Sequence, residues 1–314
     1  MSPAGREEVR VDVEGRTLTL SNLEKVLYPR TGTTKGEVLH YYAQIAPVLL
    51  PHLAHRAVTR IRWPHGVAEA SFYEKNAPAG TPSWVHTVRV PTTGSRGASR
   101  HGDHLVFPIV DDLATLTWLA NLAALELHVH QWQVGRNGQP RNADRLVIDL
   151  DPGDDAGLQQ CCEVALLVRA KLAERDLDVR PVTSGSKGLH LYATLPRRLP
   201  SPASTALAKE VADELAGEHP RLVTASMTKT RRVGRVFLDW SQNAASKTTV
   251  TPYSLRGREK PYVATPRTWQ EIEDGADDAV GIDQLRLEEV LERVGDEGDL
   301  YLCEPSGGPC ATEE

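Results

Sequence analysis

The run Arg145-Leu-Val-Ile-Asp149-Leu-Asp151-Pro152-Gly153 decides how this chain is read. Side chains alternate across a strand, so Asp149 and Asp151 share one face while Ile148 and Leu150 point into a core. Two carboxylates that close repel, and the pair is tolerable mainly if a divalent cation sits between them or one of them holds a proton. Asp239, in Val236-Phe-Leu-Asp239-Trp240, is flanked by apolar residues on a second predicted strand. It completes an oxygen-ligand cluster for two hard cations, the arrangement that clamps both oxygens of a phosphoryl transfer. An Asp-x-Asp before Pro-Gly also occurs as a plain strand end running into a solvated turn, so the rest of the chain has to decide.

Downstream lies Val182-Thr-Ser184-Gly185-Ser186-Lys187-Gly188-Leu-His190, which reads as strand, glycine-spaced turn and strand. Small residues let consecutive backbone N–H groups converge on an anion, and Ser184, Lys187 and His190 add donors suited to a phosphate chain. The spacing is not that of a Walker motif, and such a turn also occurs as an exposed loop.

Outward from these motifs the pattern is α+β rather than a regular strand-helix alternation. Residues 9–19 read as a hairpin about Glu14-Gly15, and Thr34-Lys-Gly-Glu37 has capping-box spacing ahead of an amphipathic run to Leu53. Short strands are predicted at 57–63, 70–73, 84–90 and 104–109, a helix from Asp111 to Ala124, and strand-like sequence at 125–134. Helices follow at 157–175 and 202–216, an extended segment at 248–254, a helix from Thr268 and a last one over 282–294. A polar stretch at 135–144 is a candidate boundary, and residues 303–314 read as a disordered tail.

The chain has 314 residues, 40% of them hydrophobic, enough for one large core or two interlocked ones. No apolar run of eighteen residues and no leader-like apolar segment occurs, so the expectation is a cytoplasmic protein without membrane contact. Cys161, Cys162, Cys303 and Cys310 lack zinc spacing and read as reduced thiols. The net charge of −6 conceals a local field. From Lys229 to Lys260 eight basic residues stand against Asp239 and Glu259 alone, whereas acids collect after Glu271.

Ile148-Asp-Leu-Asp-Pro-Gly153, Ser184-Gly-Ser-Lys-Gly-Leu-His190, Phe237-Leu-Asp-Trp-Ser-Gln-Asn243 and Pro252-Tyr-Ser-Leu-Arg-Gly257 together resemble the polymerase domain of bacterial DNA ligase D, of the archaeo-eukaryotic primase superfamily. The likeness begins at Leu20-Ser-Asn-Leu-Glu-Lys25 and Thr31-Gly-Thr-Thr-Lys35 and reaches about Leu302. It implies a single primase-like catalytic unit over 1–302, with an N-terminal module (1–134) for DNA-end and template contacts packed on a metal and nucleotide core (135–302). No lysine motif of an ATP-dependent ligase is present, so the expectation is a stand-alone polymerase.

By the same resemblance, Asp149, Asp151 and Asp239 are the catalytic ligands of two Mn²⁺ or Mg²⁺ ions. Ser184, Lys187, His190, Arg256, Gln242 and His130 surround the incoming nucleotide, with His128 on the same strand face as an alternative to His130. Lys25 and Lys35 are implied to bind the 5′-phosphate of a gap or break, Phe72 and Tyr73 to stack near the templating base, and Arg232 and Arg62 to contact DNA. Ile61 stands where relatives often carry a lysine, and Arg60 or Arg62 is expected to substitute.

The expected function is template-dependent addition of nucleotides, with a preference for rNTPs over dNTPs, to a primer 3′-OH at short gaps or double-strand-break ends in non-homologous end joining. DNA with a 5′-phosphorylated end, Ku and a separate ATP-dependent ligase are the implied partners. Gap filling in excision repair fits the same residues. Two readings of other classes are a two-metal nuclease, which would need no triphosphate pocket, and a non-catalytic nucleic-acid-binding protein, which would tolerate loss of Asp149.

Overall fold

The computed structural model describes residues 8–91, 104–278 and 281–302. The sequence punctuation is where the chain turns. Strands Glu8–Val13 and Arg16–Ser21 form the N-terminal hairpin, with Glu14 and Gly15 both at positive φ as its two-residue turn requires. Helix Lys35–Leu53 starts at the Thr34 to Glu37 capping box and buries its apolar stripe from Val38 to Leu53. Such a cap contributes about 1 kcal/mol.

Two larger sheets follow. The first orders Val223–Thr224, Val236–Asp239, Pro140–Pro152, Leu189–Leu199, Val179–Thr183 and Thr265–Pro266 side by side, with Trp132–Val134 paired to the start of Pro140–Pro152. Helices Leu158–Ala173 and Ser201–Glu218 cover one face over a core that includes Ile148, Leu150, Leu191 and Leu238. The second orders Thr249–Val250, Ala124–Val129, Val58–Arg62 and Phe72–Glu74. It packs on Lys35–Leu53 and Leu113–Asn121 around another core, to which Tyr253, Leu255, Val263, Leu287 and Val290 return from the C-terminal third.

Three boundaries differ from expectation. The second half of the polar stretch 135–144 belongs to the long strand Pro140–Pro152. The segment 248–254 keeps regular pairing only at Thr249–Val250. The last helix is Leu287–Glu297 rather than 282–294: Ile282 is drawn into the first sheet's core against Gly275, and the Glu289 carboxylate, accepting from the Arg286 N–H at 2.7 Å, caps the helix start. Cys161 and Cys162 are free and buried, while Cys303, Cys310 and the 303–314 tail lie outside the described residues. Among the described residues no helix is long and apolar enough to cross a membrane.

Candidate active site

Three antiparallel strands meet in one rung. Asp149 lies opposite Asp239 on one side and opposite His190 on the other, and directly opposed residues share a face. Two carboxylates and an imidazole therefore stand in a row, with Asp151 two residues along and opposite Phe237. Ile148, Leu150 and Leu238 are fully buried on the reverse face, so a one-residue slip would bury the carboxylates and expose the core.

Each member of the row is held. His190 Nε2 lies 3.2 Å from Asp149 Oδ1. On the ring's far side the Tyr192 hydroxyl donates to Val250 O at 2.9 Å, and its oxygen lies 3.3 Å from His190 Nδ1. Asp239 Oδ1 accepts from the Ser241 N–H at 3.0 Å and hydroxyl at 2.6 Å, and Oδ2 from Gln242 Nε2 at 2.8 Å. Asp151 carries the strain of the cluster. Desolvation by the surrounding protein, with the negative charges of Asp149 and Asp239, pushes its carboxyl up to about 6 against the pull of His190 and Arg232.

A cavity of about 360 Å³ opens on this row, and Ser184, Lys187, His190, Arg232, Gln242 and Arg256 line it together with Asp149 and Asp151. The glycine turn works differently from expectation. Ser184 Oγ accepts from the N–H groups of Ser186 and Gly188 at 3.2 Å each, and Gly185 N–H donates to Gln284 Oε1 at 2.6 Å. Those amides close the turn instead of converging on an anion, which leaves the Ser184 hydroxyl proton, Lys187, His190 and Arg256 as the donors. Only glycine fits at 188, where a Cβ would sit 1.9 Å from Leu150 O on the aspartate strand.

Glu126 is the neighbour that sequence reasoning missed. It is 4% exposed, with Oε1 3.3 Å from Arg256 Nε and accepting from Gly257 N–H at 3.0 Å, and Oε2 2.8 Å from His128 Nε2. Burial alone would raise its carboxyl, but the His128 hydrogen bond, Arg256 and the Gly257 amide bring it down to about 2. An acid inside the otherwise apolar run Ala124-Leu-Glu126-Leu was the available signal. Arg256 also donates to the Ser184 carbonyl, so Glu126 ties the Ser184 turn to the second sheet.

The family model for the LigD primase-polymerase domain matches residues 34–301. This chain belongs to that family. It is 48% identical over 293 residues to the multifunctional non-homologous end joining protein LigD of Mycolicibacterium smegmatis, covering 93% of this chain and 36% of that protein. The bifunctional LigD of Bacillus subtilis is 30% identical over 282 residues, covering 90% of this chain and 43% of that protein. The chain thus spans less than half the length of these relatives. Among solved structures, the polymerase domain of Mycobacterium tuberculosis ligase D in complex with DNA superposes with a TM-score of 0.84 at 47% identity, covering 90% of this chain and 96% of that one. The fold is the expected archaeo-eukaryotic primase-like one.

Several residues of this primase-polymerase fall elsewhere than the sequence implied. His130 does not line the cavity: it is 2% exposed, stacks on Trp132 with centroids 4.2 Å apart, and burial pushes its pKa down to about 3. The strand ends at Val129, so the alternation that put His128 and His130 on one face fails, and His128 is the histidine that lines the cavity. Lys35 is 5% exposed, and its ammonium donates to Ser21 O at 2.5 Å and Asn121 Oδ1 at 2.7 Å. That is a scaffolding arrangement, whereas Lys25 is partly exposed; Lys35 N–H donates to Lys25 O at 2.8 Å. Arg60 and Arg62 both have Glu74 as counter-ion, at 2.5 and 2.7 Å, and so neither presents an unpaired charge in place of a lysine at Ile61. Arg62 instead lies over the Phe72 ring, 5.8 Å from its centroid. Phe72 and Tyr73 stand 47% and 56% exposed on the edge strand, which removes the core reading of this pair. Arg232 packs over Phe237, 3.6 Å from its centroid.

Among the described residues no group of three or more His, Cys, Asp or Glu side chains is drawn together closely enough to hold a metal ion. Asp239 has both oxygens engaged by Ser241 and Gln242, and Asp149 faces His190. The donor set fits a hard divalent cation all the same. It offers three carboxylates on one face and no thiolate, and the raised Asp151 is a charge that a cation would relieve.

Proposed function

We propose that this chain is a template-dependent DNA-repair polymerase that adds nucleotides, ribonucleotides in preference, to a primer 3′-OH at short gaps or double-strand-break ends. The observation that carries the reading is the meeting of Asp149 and Asp151 with Ser184, Lys187 and Arg256 around one cavity, next to Asp239. A nuclease would have no use for the second half of that set. Non-homologous end joining is the setting that the relatives' names supply, with Ku, a separate ATP-dependent ligase and 5′-phosphorylated DNA as partners in the cytoplasm.

Two Mn²⁺ or Mg²⁺ ions, when bound, would supply Lewis-acid activation of the 3′-OH and charge neutralisation on the triphosphate. Asp149, Asp151 and Asp239 would hold them. Lys187 and Arg256 set positive charge against the phosphoryl oxygens, Ser184 donates its hydroxyl proton, and Tyr192 keeps His190 turned toward the row. Gln242 and His128 flank the nucleotide, and Arg232 the primer. Phe72 and Tyr73 offer faces to a templating base. Lys25 would meet the 5′-phosphate, with Lys35 joining it only by exchanging its Ser21 and Asn121 partners. Residues 1–302 act as one unit in this reading, since residues from 253 to 290 complete the N-terminal core.

The test is extension of a labelled primer across a one- or two-nucleotide gap with a 5′-phosphate, using Mn²⁺ and rNTPs or dNTPs. Wild type should extend, favour rNTPs and slow when the phosphate is removed, and the double variant Asp149→Ala, Asp151→Ala should be silent. Strand cleavage, or DNA binding without extension by wild type, would sink the proposal.

A further inference from the structure

A second cleft, of about 680 Å³, lies between the hairpin of Thr87–Pro91 with His104–Pro108 and the hairpin of Trp132–Val134 with Pro140–Pro152. It shares no lining residue with the catalytic cavity. Its floor is fixed: Val88 and Ile109 belong to a buried apolar cluster with Trp132, against which Val134 packs. Val134 N–H donates to His55 O at 2.7 Å, which ties the second hairpin to the end of helix Lys35–Leu53.

The walls are cationic, with Asp111 the acid beside them, 3.9 Å from His55 Nδ1 and 3.7 Å from His86 Nδ1 at one end. Arg89, Arg136 and Arg141 line the cleft and no Asp or Glu does, in a chain with 42 acidic against 36 basic residues. Arg56, by contrast, is matched to Asp144, and Arg60 and Arg62 to Glu74. These three are exposed and have no ion-pair partner among the described residues. Behind them Arg198 donates to Gln133 Oε1 at 2.9 Å, while its Nη1 is buried without a partner. Like charges gathered over an apolar floor focus a positive potential into the recess.

We propose that this cleft holds the sugar-phosphate backbone of a DNA strand flanking the reaction site. Guanidinium forks match phosphate oxygens in pairs, and the amides of Gln133, Asn137 and Gln139 add donors that position a backbone without reading bases. An acidic protein is the poorer fit, since no exposed aromatic lines the cleft to anchor one. The inference rests on the reading of the chain as a DNA-end polymerase, but it is tested by binding alone.

The experiment compares wild type with R89Q/R136Q/R141Q, by fluorescence anisotropy over a KCl series, on gapped DNA with either a 30-nucleotide single-stranded flank or almost none. On the long-flank substrate the triple variant should bind about tenfold more weakly, with the slope of log affinity on log salt smaller by roughly 2, near 0.7 per lost phosphate contact. Short-flank affinity, and extension where wild type extends, should be unchanged. Equal losses on both substrates, or unchanged affinity and slope on both, would overturn the assignment. So would lost capture of poly-L-glutamate with DNA binding intact. A wild type that binds DNA with this flank dependence yet never extends a primer would refute the polymerase reading and leave the cleft standing.

Discussion

Glu126, on strand Ala124–Val129, and Arg256, in the irregular segment after Thr249–Val250, meet at 3.3 Å, with the glutamate almost wholly enclosed. The pair connects the Ser184 turn to the strand that pairs with Val58–Arg62, and in the proposed polymerase it would set where the triphosphate lies relative to the template. Removing the acid leaves an uncompensated arginine, a change that costs about 3 kcal/mol when both groups are buried. Glu126→Gln should therefore lower stability at pH 7 in urea unfolding and raise KM for the nucleotide. The sign with pH is fixed by the depressed carboxyl. Its contribution is complete above the unfolded value of about 4.5 and fades as pH falls toward about 2, so the two proteins should converge on acidification. A constant gap from pH 7 to pH 3 would show that the charge is not what matters.

Gly188→Ala places a methyl group 1.9 Å from Leu150 O. Backbone has to move, and overpacking of this kind costs about 1 to 3 kcal/mol. Because the obstacle belongs to the strand between Asp149 and Asp151, loss of extension should exceed what lost stability explains. A variant that is destabilised but has normal kcat would argue that the turn and the aspartates move independently.

Phe72→Ala and Tyr73→Ala remove rings that are about half exposed. Unfolding should shift by no more than about 0.5 kcal/mol. If the rings stack on template bases, each loss should weaken templated insertion by about 1 to 3 kcal/mol, read as a fall in kcat/KM on gapped DNA and not in DNA-free nucleotide binding.

His128→Ala and His130→Ala should separate cleanly. The first removes a cavity wall and a partner of Glu126 and should impair nucleotide use. The second removes a ring packed between Phe107 and Trp132 and should lower the unfolding midpoint while leaving KM for the nucleotide alone. Reversed outcomes would restore the original sequence assignment.

What was legible in the sequence was whatever a local rule dictates. The positive-φ turn at Glu14-Gly15, the Thr34 capping box and the same-face placement of Asp149 and Asp151 follow from residue types at fixed spacing. That Ser184, Lys187, His190, Gln242 and Arg256 gather around one cavity followed from the family resemblance. The misses share one cause, which is tertiary context. Strand alternation could not show that pairing stops at Val129, nor helix periodicity that Ile282 is pulled into the core against Gly275. No local rule brings Ser21 O and Asn121 to the Lys35 ammonium; only the fold does. Glu126 was hidden because an acid in an apolar strand has no meaning until Arg256 arrives from 130 residues away.

The return of Tyr253, Leu255, Val263, Leu287 and Val290 to the N-terminal core has a consequence for biosynthesis. On the ribosome, helix Lys35–Leu53 and its sheet emerge early, but their hydrophobic surface stays open until residue 290 has been made. At typical elongation rates the wait from Val129 is roughly ten to thirty seconds. The nascent chain is then a client for chaperones, and a transcript truncated before the last helix should yield aggregate instead of a smaller working enzyme.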